Sequence, residues 1–131
     1  MSDLRILVVD DDVNMRSAVK RLLSTREGWV VVGTAADGSE AVGKAKDLQP
    51  DVVIMDVTMP QMNGLEATPH IKKVTPATEV LIFSQHGSRE LSREAERVGA
   101  SGYVSKSQSE ALLVAVEAVA GHRTFFQASD S

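Results

Sequence analysis

The chain has 131 residues, 43% of them hydrophobic, and a formal net charge of −4. That length suits one domain with a real core, and the negative balance gives this segment no electrostatic grip on nucleic acid or anionic lipid. The sequence has no cysteine, which excludes a disulfide framework and a thiolate zinc site. No apolar run reaches membrane-spanning length and no signal segment precedes the first strand pattern, so a soluble cytoplasmic domain is expected.

Strand and helix patterns alternate along the chain. Leu4–Val9 is apolar apart from Arg5, as in a strand covered on both faces. Met15, Ala18, Val19, Leu22 and Leu23 then recur at helical spacing, with Asp12 as N-cap. Residues 29–34 read as a second strand. Asp37 and Glu40 resemble a capping box for a second helix whose face is Ala41, Val42, Ala45 and Leu48, and Pro50 stops it. Val52–Met55 is the third strand. Asn63 opens a third helix, which Pro69 is predicted to kink or shorten.

Residues 80–83 form the fourth strand. The fourth helix, about 88–98, shows a thin apolar stripe of Leu91, Ala95 and Val98, and Gly99 ends it. A short fifth strand precedes a last helix, about 109–120, that is apolar almost all round. Residues 128–131 are expected to fray. Such units predict a single doubly wound α/β domain, a (βα)5 flavodoxin-like parallel sheet with strand order 2-1-3-4-5.

The informative residues stand where the apolar runs stop. Asp10 and Asp11 follow strand one, Asp56 strand three, Ser84 strand four and Lys106 strand five. In an open parallel sheet those ends share one edge, and ligands bind in the crevice there. Clustered carboxylates repel one another, and a hard divalent cation such as Mg²⁺ relieves the conflict with oxygen ligands. Asp56 is placed to attack a phosphoryl donor and form an aspartyl-phosphate. Lys106 and the cation would supply positive charge, and Ser84 a hydrogen bond. The segment 38–45 nearly spells a P-loop, but Ala45 stands where a Ser or Thr would hold Mg²⁺, and the segment has helical periodicity.

These residues resemble the receiver domain of bacterial two-component response regulators over about residues 4–121. The resemblance rests on Val9-Asp10-Asp11, Met55-Asp56-Val57-Thr58-Met59-Pro60, Asn63-Gly64-Leu65-Glu66, Phe83-Ser84 and Gly102-Tyr103-Val104-Ser105-Lys106. It implies that Asp56 accepts a phosphoryl group from a sensor histidine kinase or a small-molecule phosphodonor. It implies Mg²⁺ on Asp11, Asp56 and the backbone carbonyl of Thr58, with Asp10 acting through water. Ser84 and Lys106 would contact the phosphoryl group. Tyr103 would be an aromatic switch that turns inward when Ser84 moves, changing the surface of helix four, strand five and helix five. Ser107 stands where many receivers carry proline, which excludes a cis Lys-Pro bond as the device that positions this loop.

The run Ala118 to Phe126, with Ser84-Gln85-His86 and Lys106-Ser107, is similar to LuxR/NarL-type transcription regulators. On that reading residues 1–122 are the receiver and 123–131 begin a linker to a helix-turn-helix domain that this chain lacks, through which alone DNA would be met. The alternatives are a stand-alone receiver and a pseudo-receiver acting by contact. Excess apolar surface on the last helix leaves a homodimer or interdomain face open. A haloacid-dehalogenase-type hydrolase would want an acid at Thr58. A flavodoxin-type flavin site would want a phosphate-cradling loop where Asp10, Asp11 and Asp12 stand.

Overall fold

The computed structural model describes residues 3–127; the expected frayed end at 128–131 lies outside them. The strands are β1 (Leu4–Val9), β2 (Trp29–Ala35), β3 (Val52–Met55), β4 (Glu79–Ser84), β5 (Gly102–Ser105) and β6 (Phe125–Phe126). The helices are α1 (Val13–Leu23), α2 (Gly38–Leu48), α3 (Gly64–Val74), α4 (Arg89–Arg97) and α5 (Ala111–Ala120). All strand pairs are parallel, in the order β2-β1-β3-β4-β5-β6. The predicted order 2-1-3-4-5 holds, and a sixth strand is added at the β5 edge, within the residues expected to begin a linker.

Alternation along each strand divides the core into two layers. Leu7, Val9, Val53, Met55, Val80 and Ile82 face one side, where Ala41 and Ala45 of α2, Ala67 and Ile71 of α3 and Ala95 of α4 cover them. Ile6, Val8, Val52, Ile54, Leu81 and Phe83 face the other, under Val19 and Leu23 of α1 and Leu112, Val116 and Val119 of α5. Helices on both faces explain why the strands read as continuous apolar runs. α5 is apolar beyond this buried stripe, and Val114 is 55% exposed.

The helix starts follow the sequence. Asp12 accepts from the Asn14 N–H, Asp37 from Glu40 and Ser88 from Leu91. The Glu40 carboxylate takes the N–H of Ala36 at 2.8 Å, so the α2 cap reaches one residue further out than a standard capping box. α3 corrects an expectation: it is not shortened at Pro69 but runs 11 residues, the length of α1 and α2. Proline removes one backbone donor, here the one that would meet the Leu65 carbonyl. A complete Asn63–Glu66 capping box and the burial of Ala67, Thr68 and Ile71 offset the loss. α5 begins two residues later than predicted because Lys106–Gln108 form a 3-10 turn, capped by Ser105 Oγ accepting from the Ser107 N–H. That cap organises the loop in which Ser107 replaces proline.

Glycine matters where α3 meets the end of β3. A Cβ on Gly64 would lie 2.0 Å from the Asp56 carbonyl oxygen, a backbone atom that cannot swing aside. Gly64→Ala is expected to cost about 2–3 kcal/mol and lower the melting temperature by roughly 5–10 °C. Gly43, on an exposed turn of α2 with nothing within 4 Å of its would-be Cβ, supplies the contrast: Gly43→Ala should stabilise by about 0.5–1 kcal/mol in the same thermal melts.

At the opposite sheet edge, Glu79 meets His122 at 2.9 Å and Ser101 at 2.5 Å. Burial alone would raise its carboxyl, but the Ser101 and His122 hydrogen bonds and the Lys72 charge hold it below the usual range. A depressed carboxylate stabilises the fold above its unfolded pKa, and the contribution disappears as pH falls through the folded value. Denaturant titrations of Glu79→Gln should therefore show less loss of stability than the unmodified chain below about pH 4.5.

Candidate functional site

The ends of β1, β3 and β5 meet because β3 pairs directly with β1 and the edge continues through β4 to β5. The Asp56 N–H donates to the Val9 carbonyl at 3.0 Å, which sets Asp56 beside Asp10. One carboxylate oxygen from each of Asp10, Asp11 and Asp56 lies within 4.8 Å of the others. Asp10 and Asp56 are 4% and 6% exposed, while Asp11 faces solvent.

Lys106 reaches into this cluster from the start of the 3-10 turn. Its Nζ donates to Asp10 Oδ2 at 2.7 Å and to Asp56 Oδ1 at 3.2 Å. The other Asp10 oxygen accepts the Asp12 N–H at 2.9 Å. Arg16 of α1 donates to the Asp10 carbonyl at 2.7 Å and fixes the loop from behind. Burial pushes the Asp56 carboxyl up; the Asp10 charge adds to this, and the Lys106 charge and hydrogen bond offset only part. Burial pulls the Lys106 ammonium down, but its bonds to Asp10 and the charges of Asp56 and Asp10 outweigh it, so it is raised.

A cleft of about 220 Å³ opens over the cluster, lined by Asp10, Asp11, Asp12, Met15, Asp56, Thr58, Gln85 and Lys106. Thr58 thus joins the predicted residues there. Met15, Gln85 and Arg16 escaped the sequence reading. Met15 belongs to the helical core stripe as well as to the cleft, and Gln85 stands beside Ser84 without a charge to mark it. Three carboxylates suit a hard cation, and Lys106 bonds only two of them, so this donor set fits Mg²⁺.

Ser84 lies at the end of β4 with no exposed surface and does not line the cleft. Its Oγ accepts the His86 N–H at 3.1 Å. Tyr103, expected to turn inward on activation, is already inside at 1% exposure. Its hydroxyl donates to the His86 carbonyl, and burial raises its pKa. Ser84 and Tyr103 therefore meet at the His86 backbone, one layer behind the carboxylates.

Residues 6–117 match the model of the response regulator receiver domain. The chain belongs to this family. It is 41% identical to the chemotaxis protein CheY of Thermotoga maritima over 102 residues, 78% of this chain and 84% of that protein. It is 40% identical to the transcriptional regulatory protein LnrK of Bacillus subtilis over 111 residues, 85% of this chain but 50% of that protein. A LuxR-family response regulator from Aurantimonas superposes with a TM-score of 0.91 at 40% identity, covering 95% of this chain and 89% of that one. The NarL receiver of Mycobacterium tuberculosis gives 0.87 at 31% identity, covering 94% and 100%.

Receiver domains are switches of two-component signalling that bind Mg²⁺ at an acidic pocket and interact with histidine kinases. Among the described residues no helix is long and apolar enough to cross a membrane. In this receiver the charge on Asp56 is held against the fold, since burial and Asp10 raise its carboxyl. A raised carboxylate destabilises above its folded pKa, and the penalty fades as pH falls through that value. Asp56→Asn should be more stable than the unmodified chain by roughly 0.5–2 kcal/mol at neutral pH, with the gap narrowing in acid. Millimolar Mg²⁺ should raise the melting temperature of the unmodified chain and leave that of Asp56→Asn nearly unchanged.

Proposed function

We propose that Asp56 is the phosphoacceptor of this receiver, that a sensor histidine kinase or a small phosphorylated metabolite is its donor, and that the phosphoryl group resets the α4-β5-α5 surface. The observation that carries this reading is Lys106 bridging Asp10 and Asp56 at the mouth of one cleft. In the transfer, an Asp56 carboxylate oxygen attacks phosphorus. The phosphorus–nitrogen bond of the phosphohistidine breaks, and its electron pair leaves with the imidazole. Phosphoryl transfer needs mainly alignment and charge neutralisation, and this chain supplies both. Asp10, held by Lys106 and the Asp12 N–H, keeps the loop in place. Lys106 is near enough to follow the new negative charge onto the phosphoryl oxygens. Asp10, Asp11, Asp56 and the Thr58 carbonyl would hold Mg²⁺, which when bound supplies further positive charge against the phosphoryl oxygens.

Ser84 is the residue that carries the event outward. Its hydroxyl accepts the His86 N–H and can still donate its own proton to a phosphoryl oxygen, so a shift of Ser84 toward that oxygen pulls on His86, whose carbonyl holds Tyr103. The inward tyrosine belongs on this reading to the active arrangement, and phosphorylation raises its population rather than creating it. The similarity to LnrK and to the LuxR-family regulator supports a transcriptional output domain as the natural target of this surface.

Intact mass after incubation with Mg²⁺ and acetyl phosphate tests the central step. One added phosphoryl group is expected, absent without Mg²⁺ and absent in Asp56→Asn. Lys106→Ala should slow its formation about 100-fold. Tyr103→Ala should be phosphorylated at an undiminished level yet lose output, and loss of phosphorylation in that variant would refute the separation of site from readout. No adduct on the unmodified chain, together with no binding of the phosphoryl mimic beryllofluoride, would favour a pseudo-receiver.

A further inference from the structure

The outer edge of β5 is covered by the segment that follows α5. β6 pairs parallel to it, with Gly102 opposite Phe125 and Tyr103 opposite Phe126. The Phe125 N–H donates to the Ser101 carbonyl at 3.0 Å and the Gln127 N–H to the Tyr103 carbonyl at 2.9 Å. The ladder then ends in a side chain, as the Ser105 N–H donates to Gln127 Oε1 at 3.3 Å. Ser105 is the residue before Lys106. The two phenylalanines straddle the sheet: Phe125 packs on the layer that holds Leu112, Val116 and Val119, and Phe126 on the layer that holds Tyr103, Leu91 and Ala95.

Sequence features fit this docking. A side chain at Gly102 would place its Cβ 2.7 Å from the Phe125 carbonyl oxygen, so glycine there permits the close approach. The connection from α5 turns at His122, whose φ of +63° lies in the left-handed region that few non-glycine residues adopt. His122 is tied to Glu79 at 2.9 Å. An exposed strand edge otherwise invites pairing with other chains, and this chain fills the edge with its own residues.

We propose that the β5 edge is a strand-docking surface, that residues 123–127 are its occupant, and that their docking is linked to the phosphoryl state of Asp56. The inference rests on the phosphoacceptor reading above. The link is physical: Gln127 grips both ends of the Tyr103–Ser105 stretch, which carries the buried ring on one side and leads into Lys106 on the other. Phe126 seats on the layer that contains the inward Tyr103. A phosphoryl group that draws in Lys106 and favours the inward ring therefore favours the docked strap. By reciprocity the docked strap must favour the phosphoryl group to the same degree.

Amide hydrogen exchange on the full chain, with and without Mg²⁺ and beryllofluoride, tests this. Beryllofluoride occupancy is followed independently by its fluorine NMR signal. The amides of Phe125, Gln127 and Ser105 should exchange at least about fivefold more slowly when the mimic is bound. Gln127→Ala and Phe126→Ser, both near the surface, should weaken beryllofluoride binding by a similar factor without touching the cleft. Bound mimic with unchanged exchange at these amides, and unchanged affinity in both variants, overturns the strap proposal and leaves the phosphoacceptor reading intact. No fluorine signal of bound mimic in the unmodified chain overturns both.

Discussion

The charge conflict at the end of β1 and β3 governs the rest of this structure. Asp10 and Asp56 are buried next to each other, in a place where the sheet would be more stable with uncharged groups. One ammonium, Lys106, is bonded to both. Burying charges costs more than partial pairing returns unless the geometry is good and other hydrogen bonds fill the remaining lone pairs. Asp10 meets that condition through the Asp12 N–H. Asp56 meets it less well: burial and the Asp10 charge raise its carboxyl, and Lys106 offsets only part of this. A site held in this condition gains from any added positive charge, and the donor set favours one with hard oxygen preferences.

The scaffold tolerates the conflict because the remainder of the sheet is apolar on both faces. β3 and the inner part of β1 carry fully buried aliphatic residues in both layers, each worth about 1.5–3 kcal/mol on burial. α3 presses so close to the loop after Asp56 that only glycine fits at its first residue, and the Gly64 N–H donates to the Val57 carbonyl at 3.0 Å. Asp56 is thus held by backbone contacts from β1 before it and α3 after it. As the nucleophile proposed above, a carboxylate so fixed would lose little freedom on reacting, which is the contribution alignment makes to phosphoryl transfer.

Much of this was legible in the sequence because the continuous apolar runs ended at charged or hydroxyl residues. Asp10, Asp11, Asp56 and Lys106 converge as strand ends on a common edge must, and Asp12, Asp37, Asn63 and Ser88 cap the helices whose starts they mark. What local pattern did not carry depends on tertiary contact. Pro69 is a helix breaker by intrinsic preference, yet capping and burial of its neighbours outweigh it. Phe125-Phe126 is too short a run to announce a strand, and becomes one only because β5 offers a free edge. The sequence places Ser84 at the end of its strand, but not the bond its hydroxyl accepts from the His86 N–H, an arrangement set by the loop after β4 that no sequence period encodes.

That arrangement would give the proposed switch its construction. The His86 peptide unit and its own residue's carbonyl serve two masters: the N–H meets Ser84 and the carbonyl meets Tyr103. On the proposed reading, a displacement of Ser84 toward a phosphoryl oxygen would stretch its bond to the part-buried His86 N–H, and losing that bond costs roughly 1–3 kcal/mol unless the loop follows. On that reading the loop before α4 would move with Ser84. α4 is the element suited to follow, since only Ser92 and Ala95 of its residues are buried, and few buried contacts mean low local stability. β5 is the opposite, buried along its whole length. If the proposed switch operates, motion would be confined to one side of Tyr103, while the ring, the strand beneath it and the segment that covers the strand's edge stay together as the surface against which α4 is repositioned.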